Sequence, residues 1–133
     1  MLSLIVEDDS SSHLVLQKVM REYGEVHGAT NGTDAVEMFR DAREKGIYYD
    51  LVCLDILLPG MSGQDVLTAI REAEEIDFVP TKVSKVVMIT AMDDKSNVLK
   101  AFRDQCDAYL VKPVEIRMLR EQLATFGFKP LAH

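Results

Sequence analysis

The stretch LSLIVEDDS, residues 2–10, runs through five residues suited to a core strand and then stops in three consecutive acids, Glu7, Asp8 and Asp9. Like charges about 4 Å apart repel by roughly 4 kcal/mol at an effective dielectric near 20. Folding alone gives no reason to gather such a cluster at the mouth of a strand, so the sequence asks for a cation there. Residues 2–6 also lack polar alternation, and LVCL (51–54), KVVMIT (85–90) and AYLV (108–111) repeat that pattern. Strands apolar on both faces belong to parallel sheets covered on both sides.

Segments of helical period separate these runs. In TDAVEMFRDAREKG (33–46), Ala35, Val36, Phe39 and Ala42 form one stripe and Gly46 provides a stop. A shorter strand, EVHGA (25–29), lies between Gly24 and the Asn31-Gly32 turn signal, giving five strand-and-helix units. Helices are expected over 10–23, 32–45, 62–75, 94–104 and 114–126. Such alternation implies right-handed crossovers and a doubly wound α/β sandwich, with ligands outside the carboxyl ends of the strands. The first strand ends in Glu7, Asp8 and Asp9, the third in Asp55, the fourth in Thr90 and the fifth in Lys112, so they fall on one edge.

The bulk numbers narrow the function. The chain of 133 residues suits one domain, with no internal repeat or linker. Fifteen basic against 22 acidic residues, net −7, argue against a broad grip on nucleic acid or an anionic membrane. Cys53 and Cys106 have neither CxxC nor Cys/His ligand spacing, so reduced thiols are expected. No charged leader with a long apolar stretch and no membrane-length apolar run is present, which leads to the expectation of a soluble cytoplasmic protein.

A carboxylate cluster facing a strand-end aspartate, with a hydroxyl and an ammonium nearby, is a workable kit for phosphoryl transfer. Hard oxygens favour Mg²⁺, a cation and Lys neutralise the equatorial oxygens, and an aspartate can attack as nucleophile. In this combination the residues resemble the CheY-like receiver domains of two-component response regulators. The resemblance rests on IVEDD (5–9), on LDILLPGMSG carrying Asp55, Pro59 and Gly63, on MITAMDD with Thr90 and Ala91, and on AYLVKP with Tyr109, Lys112 and Pro113. It covers nearly the whole chain.

The resemblance implies a flavodoxin-like (βα)5 fold with strand order 2-1-3-4-5, filling residues 1–133 as a single receiver domain with its core over about 2–126. It implies that Asp55 is the phosphoacceptor and that Thr90 and Lys112 grip the phosphoryl oxygens. Glu7, Asp8, Asp55 and the Leu57 backbone carbonyl would hold Mg²⁺, with Mn²⁺ able to replace it. Which two of the three acids serve the metal is open from position alone; the family's V-E-D-D form favours Glu7 and Asp8 and leaves Asp9 to start the helix. Tyr109 resembles a switch residue that follows Thr90, and the Lys112-Pro113 peptide is expected to be cis. Partners would be a histidine kinase or histidine phosphotransfer protein and a downstream protein target, read through the fourth helix, fifth strand and fifth helix. The chain would act as a monomer or as a phosphorylation-dependent dimer, and as a signalling domain that promotes its own phosphorylation and dephosphorylation rather than as an enzyme.

Other readings of the same letters fare worse. A flavin-binding module of this fold wants amides and small residues after the first strand, where three acids would repel a phosphate. An aspartate-nucleophile phosphatase wants a second acid two residues after Asp55, and Leu57 stands there. A receiver that works only by docking has no need of the full acid, Thr and Lys set. Apolar Leu57 and Met92, two residues past Asp55 and Thr90, would slow hydrolysis by hindering water. His13, His27 and His133 are read as solvated or packed, and the seven methionines as core fillers. EEIDFVPTKVSK (74–85) makes a long connection before the fourth strand; it is read as extra packing over the third helix, with a partner surface as the alternative.

Overall fold

The computed structural model describes residues 1–91 and 105–131. In chain order the elements are β1 (Leu2–Val6), α1 (Ser10–Arg21), β2 (Glu25–Ala29), α2 (Gly32–Glu44), β3 (Leu51–Asp55), α3 (Gly63–Ile76), β4 (Lys85–Thr90), β5 (Ala108–Val111) and α4 (Ile116–Thr125). The helix expected over 94–104 and Met92 lie outside the described residues, so α4 corresponds to the last expected helix. All strand pairs are parallel and the order is β2-β1-β3-β4-β5.

The lack of polar alternation now has its cause. Alternate residues of each central strand enter opposite cores, so the positions between the strand ends are apolar, Ser3 of β1 excepted. Leu4, Val6, Val52, Leu54, Val86 and Met88 pack with Val36, Phe39, Val66, Leu67 and Ile70 of α2 and α3. Ile5, Cys53, Val87 and Ile89 pack on the other face with Leu16, Val19 and Met20 of α1 and Leu119 and Leu123 of α4. Both cysteines are free, and burial pushes the Cys53 thiol up to about 12.

Side chains fix where the first three helices begin. Asp9, Asn31 and Ser62 each accept a hydrogen bond from a backbone N–H three residues on, those of Ser12, Asp34 and Asp65. Thus Asn31-Gly32 is used as a helix start. Gly46, at φ +74°, ends α2 in the left-handed region.

Two expectations need correction. AYLV is not buried on both faces: only Leu110 is buried, and Tyr109 is 49% exposed. The reason is position, since β5 pairs with β4 alone and forms an edge of the sheet. The 74–85 connection does not lay its apolar residues over α3 either. Ile76 is 86% and Phe78 62% exposed.

Gly63 sets the distance between α3 and the end of β3. Its N–H donates to the Ile56 carbonyl at 2.9 Å, and a Cβ there would strike the Asp55 carbonyl and lie 2.7 Å from Ile56 Cα. Backbone atoms cannot swing aside as a flexible side chain would. Gly63→Ala should therefore cost about 1–3 kcal/mol in urea unfolding; an unchanged midpoint would show that α3 has room to shift.

Candidate functional site

The strand order reverses at β1, with β2 on one side and β3 on the other, and the crevice outside the carboxyl ends of these strands is the binding position of such sheets. Glu7 leaves β1 and is buried, its N–H bonded to the Ala29 carbonyl at 3.1 Å. Asp55 ends β3 and is also buried, whereas Asp8 faces solvent. One carboxylate oxygen from each of Glu7, Asp8 and Asp55 lies within 4.8 Å of the others. Asp9 stands apart as the α1 cap, and its bonds from Ser12 hold its carboxyl below the usual range.

Lys112 reaches this cluster from beyond β5. Its Nζ donates to Asp55 Oδ2 at 2.8 Å and pairs with Glu7 Oε1 at 2.9 Å. The second contact is off the direction of a hydrogen bond, so the buried Glu7 Oε1 has no hydrogen-bond partner among the described residues. The other Asp55 oxygen, Oδ1, accepts from the Leu57 N–H at 3.1 Å. The Leu57 side chain projects outward, 63% exposed.

The charges respond to this crowding. Burial, together with the hydrogen bond and charge of Asp55, pushes Glu7 up to about 7, against the pull of Lys112 and the Asp9 amide. For Lys112, burial acts to lower the value, but the carboxylates of Asp55 and Glu7 beside it outweigh that and hold the ammonium above its usual range. Three hard oxygens, one buried without a hydrogen-bond partner and one open to water, fit a divalent cation of the Mg²⁺ or Mn²⁺ type.

Thr90 is buried at the end of β4, and its hydroxyl donates to the Ala91 carbonyl at 3.1 Å, not to Asp55. Lys112 N–H donates to the Thr90 carbonyl at 2.8 Å, tying the two strand ends together. The Lys112-Pro113 peptide is cis. Tyr109 stands on the exposed side of β5, outside the acid cluster.

One neighbour of the site was not visible in the letters. His13 Nδ1–H donates to the Glu7 carbonyl at 3.0 Å, so α1 holds the backbone that aims the Glu7 carboxylate. The ring lies against Gly28 of β2, where a Cβ would come 2.5 Å from Nε2. The small residue inside EVHGA was the only available signal. His27 is packed, between Tyr49 Oη at 2.7 Å and Glu25 Oε2 at 2.6 Å, and His133 lies outside the described residues.

The response regulator receiver domain family matches residues 3–124 of the chain. This chain belongs to that family. The receiver is 31% identical over 121 residues to the regulatory protein VanRB of Enterococcus faecalis, an alignment spanning 90% of this chain and 49% of VanRB. It is 29% identical over 122 residues to the chemotaxis protein CheY of Pseudomonas aeruginosa, spanning 90% of each. Thus the receiver covers about half the length of VanRB and nearly all of CheY. Among solved structures it resembles the co-crystal structure of the Saccharomyces cerevisiae histidine phosphotransfer protein Ypd1 with the receiver domain of Ssk1. That match has a TM-score of 0.78 at 28% identity, over 96% of this chain and 88% of the matched one. A receiver domain is a module of two-component signalling. Among the described residues no helix is long and apolar enough to cross a membrane.

The Glu7 shift sets a pH dependence for the metal-free receiver. Its value is raised from 4.5 to about 7 on folding, so the folded state holds the proton more tightly than the unfolded chain. That stabilisation is complete below the unfolded value and is lost as pH rises through about 7. With chelator present, melting temperature should fall between about pH 5 and about pH 8, and Glu7→Gln should flatten the fall. Equal slopes for the two proteins would remove Glu7 as the cause.

Proposed function

We propose that Asp55 accepts a phosphoryl group from a histidine kinase or histidine phosphotransfer protein, making this receiver a phosphorylation-activated switch. The observation that carries the reading is the buried Asp55 carboxylate, bonded to Lys112 Nζ at 2.8 Å and within 4.8 Å of the Glu7 and Asp8 oxygens. An idle strand end has no use for a buried acid with that company.

An Asp55 oxygen attacks the phosphorus of a phosphohistidine; the new O–P bond forms as the N–P bond breaks, and the imidazole leaves. Glu7, Asp8, Asp55 and the Leu57 carbonyl would hold Mg²⁺, or Mn²⁺, which neutralises charge on the equatorial phosphoryl oxygens. Lys112 follows the phosphoryl group while keeping its contact with Glu7. The Thr90 hydroxyl leaves the Ala91 carbonyl and donates to a phosphoryl oxygen. The added charge then biases an equilibrium that includes Tyr109, and a downstream protein reads residues 94–104, β5 and α4. The same machinery returns the group to water, and the protein works in the cytoplasm as a monomer or a phosphorylation-dependent dimer.

Acetyl phosphate with Mg²⁺ should add one phosphoryl group, seen by intact mass, and Asp55→Asn should abolish the addition. Labelling that persists in Asp55→Asn would place the acceptor elsewhere. The outward, apolar Leu57 side chain screens the mouth of the site, so Leu57→Asn should shorten the phosphoryl lifetime. Slower loss from that variant than from wild type would contradict the screening role.

A further inference from the structure

His13 takes no part in the phosphoryl transfer described above, yet it touches the acid cluster where that cluster is least supported. Glu7 is held at several points: its N–H by the Ala29 carbonyl at 3.1 Å, Oε2 by the Asp9 N–H at 3.3 Å and Oε1 by the Lys112 ion pair at 2.9 Å. Asp55 is held by Lys112 and by the Leu57 N–H. Asp8 has no such help: among the described residues its exposed carboxylate makes no hydrogen bond and no ion pair. Its place beside the other two oxygens is therefore set by its backbone alone. The peptide joining Glu7 to Asp8 is the nearest control on it, and the carbonyl of that peptide is the atom that His13 Nδ1–H holds at 3.0 Å.

A close fit on β2 keeps the imidazole there. The half-buried ring lies against Gly28, where a Cβ would come 2.5 Å from Nε2 and 2.9 Å from Cε1. Nothing in the Gly28 backbone asks for glycine, since its φ is not positive, and a strand interior ordinarily disfavours that residue. The ring asks for it, because a Cβ would push the imidazole off the Glu7 carbonyl. The ring is also not one of the converging ligand groups, which are the carboxylates of Glu7, Asp8 and Asp55. His13 thus acts on the cation's site through the Glu7–Asp8 peptide, as outer partners that orient metal ligands do.

We propose that His13, seated by Gly28, is a positioning residue for the divalent cation of the phosphoryl-transfer site, fixing the Glu7–Asp8 peptide so that both carboxylates face one ion. This rests on the reading of Glu7, Asp8 and Asp55 as the cation's ligands, and not on which donor phosphorylates Asp55. The donor and the ring can be separated by substitution. Asn places an amide N–H where Nδ1–H stands, whereas Phe keeps a ring against Gly28 and has no donor.

Binding of Mn²⁺ to the full, unphosphorylated chain, followed by loss of the free-ion electron paramagnetic resonance signal, tests this. His13→Phe and His13→Ala should each weaken Mn²⁺ about tenfold, and His13→Asn should stay within about twofold of wild type. Gly28→Ala should also weaken it about tenfold but add less than about twofold to His13→Ala, because the three atoms nearest the new Cβ all belong to the imidazole. With acetyl phosphate as donor, His13→Phe should raise the Mg²⁺ concentration for half-maximal rate about tenfold, while the rate at saturating Mg²⁺ falls far less. Thermal melts in chelator report folding, and His13→Phe and Gly28→Ala carry the test if His13→Ala does not fold. Equal Mn²⁺ affinity in wild type and His13→Phe, additive losses in the double variant, or failure of His13→Asn to bind would overturn the proposal. So would absence of Mn²⁺ binding by wild type, or a nitrogen coupling in the pulsed spectrum of bound Mn²⁺ that His13→Phe removes, which would make the ring a ligand. If Mn²⁺ affinity depends on His13 in this way but Asp55 takes no phosphoryl group, the switch reading fails and the positioning role stands.

Discussion

Two carboxylates buried at one edge of a parallel sheet need a cation, and in the receiver Lys112 supplies it. Its Nζ lies 2.8 Å from Asp55 and 2.9 Å from Glu7. Topology decides which side chain can do this. β5 is two strands from β3, a separation of about 10 Å across the sheet. Among cationic side chains, one on a long flexible stem spans that gap while keeping its backbone in register. The Lys112 N–H bond to the Thr90 carbonyl fixes the root of the stem, and the buried acids fix its tip.

That arrangement is held short of electrostatic balance. One ammonium faces two buried acids and an exposed third, and the Glu7 carboxyl answers by keeping a proton up to about pH 7. Among the described residues Glu7 Oε1 has the Lys112 ion pair but no hydrogen-bond partner. A site this short of positive charge favours a divalent cation. The same shortage explains why α1 and β2 are recruited to hold the Glu7 backbone through His13 and Gly28. Repelling groups stay in place only if their backbone is fixed.

What the letters revealed depended on how local the physics was. The central strands were legible because residues 4–6, 51–54 and 86–89 feed two cores and are apolar throughout. The acids were legible because their repulsion is local, and Asp55, Thr90 and Lys112 because each stands at the end of a strand. Burial in β5 was misread because an edge is a property of the whole sheet, which four residues cannot announce. The His13 contact was missed because it joins a helix, a strand end and a second strand, with only Gly28 as a trace. The 74–85 connection was read as packing because apolar residues usually find cover; its anchors, Arg43 on α2, bonded to the Asp77 and Lys82 carbonyls, and Glu74 in the last turn of α3, bonded to the Ser84 N–H, look like ordinary surface charges in sequence.

A parallel sheet separates these two edges by construction. Every strand delivers its last residue to one side, so the residues that must meet for chemistry come from strand ends, and each is constrained by a core on both faces. The connections that enter the strands gather on the other side, where Tyr49 and Ser84 are buried but Ile47, Phe78 and Val83 stay exposed. The exposed positions there can change without moving Glu7, Asp55 or Lys112, because β3 and β4 are pinned along their full register from Leu51–Lys85 to Asp55–Ile89. A receiver can therefore keep a common reaction at its carboxyl edge while its amino edge varies. The exposed loop held by Arg43 is the kind of feature that freedom permits.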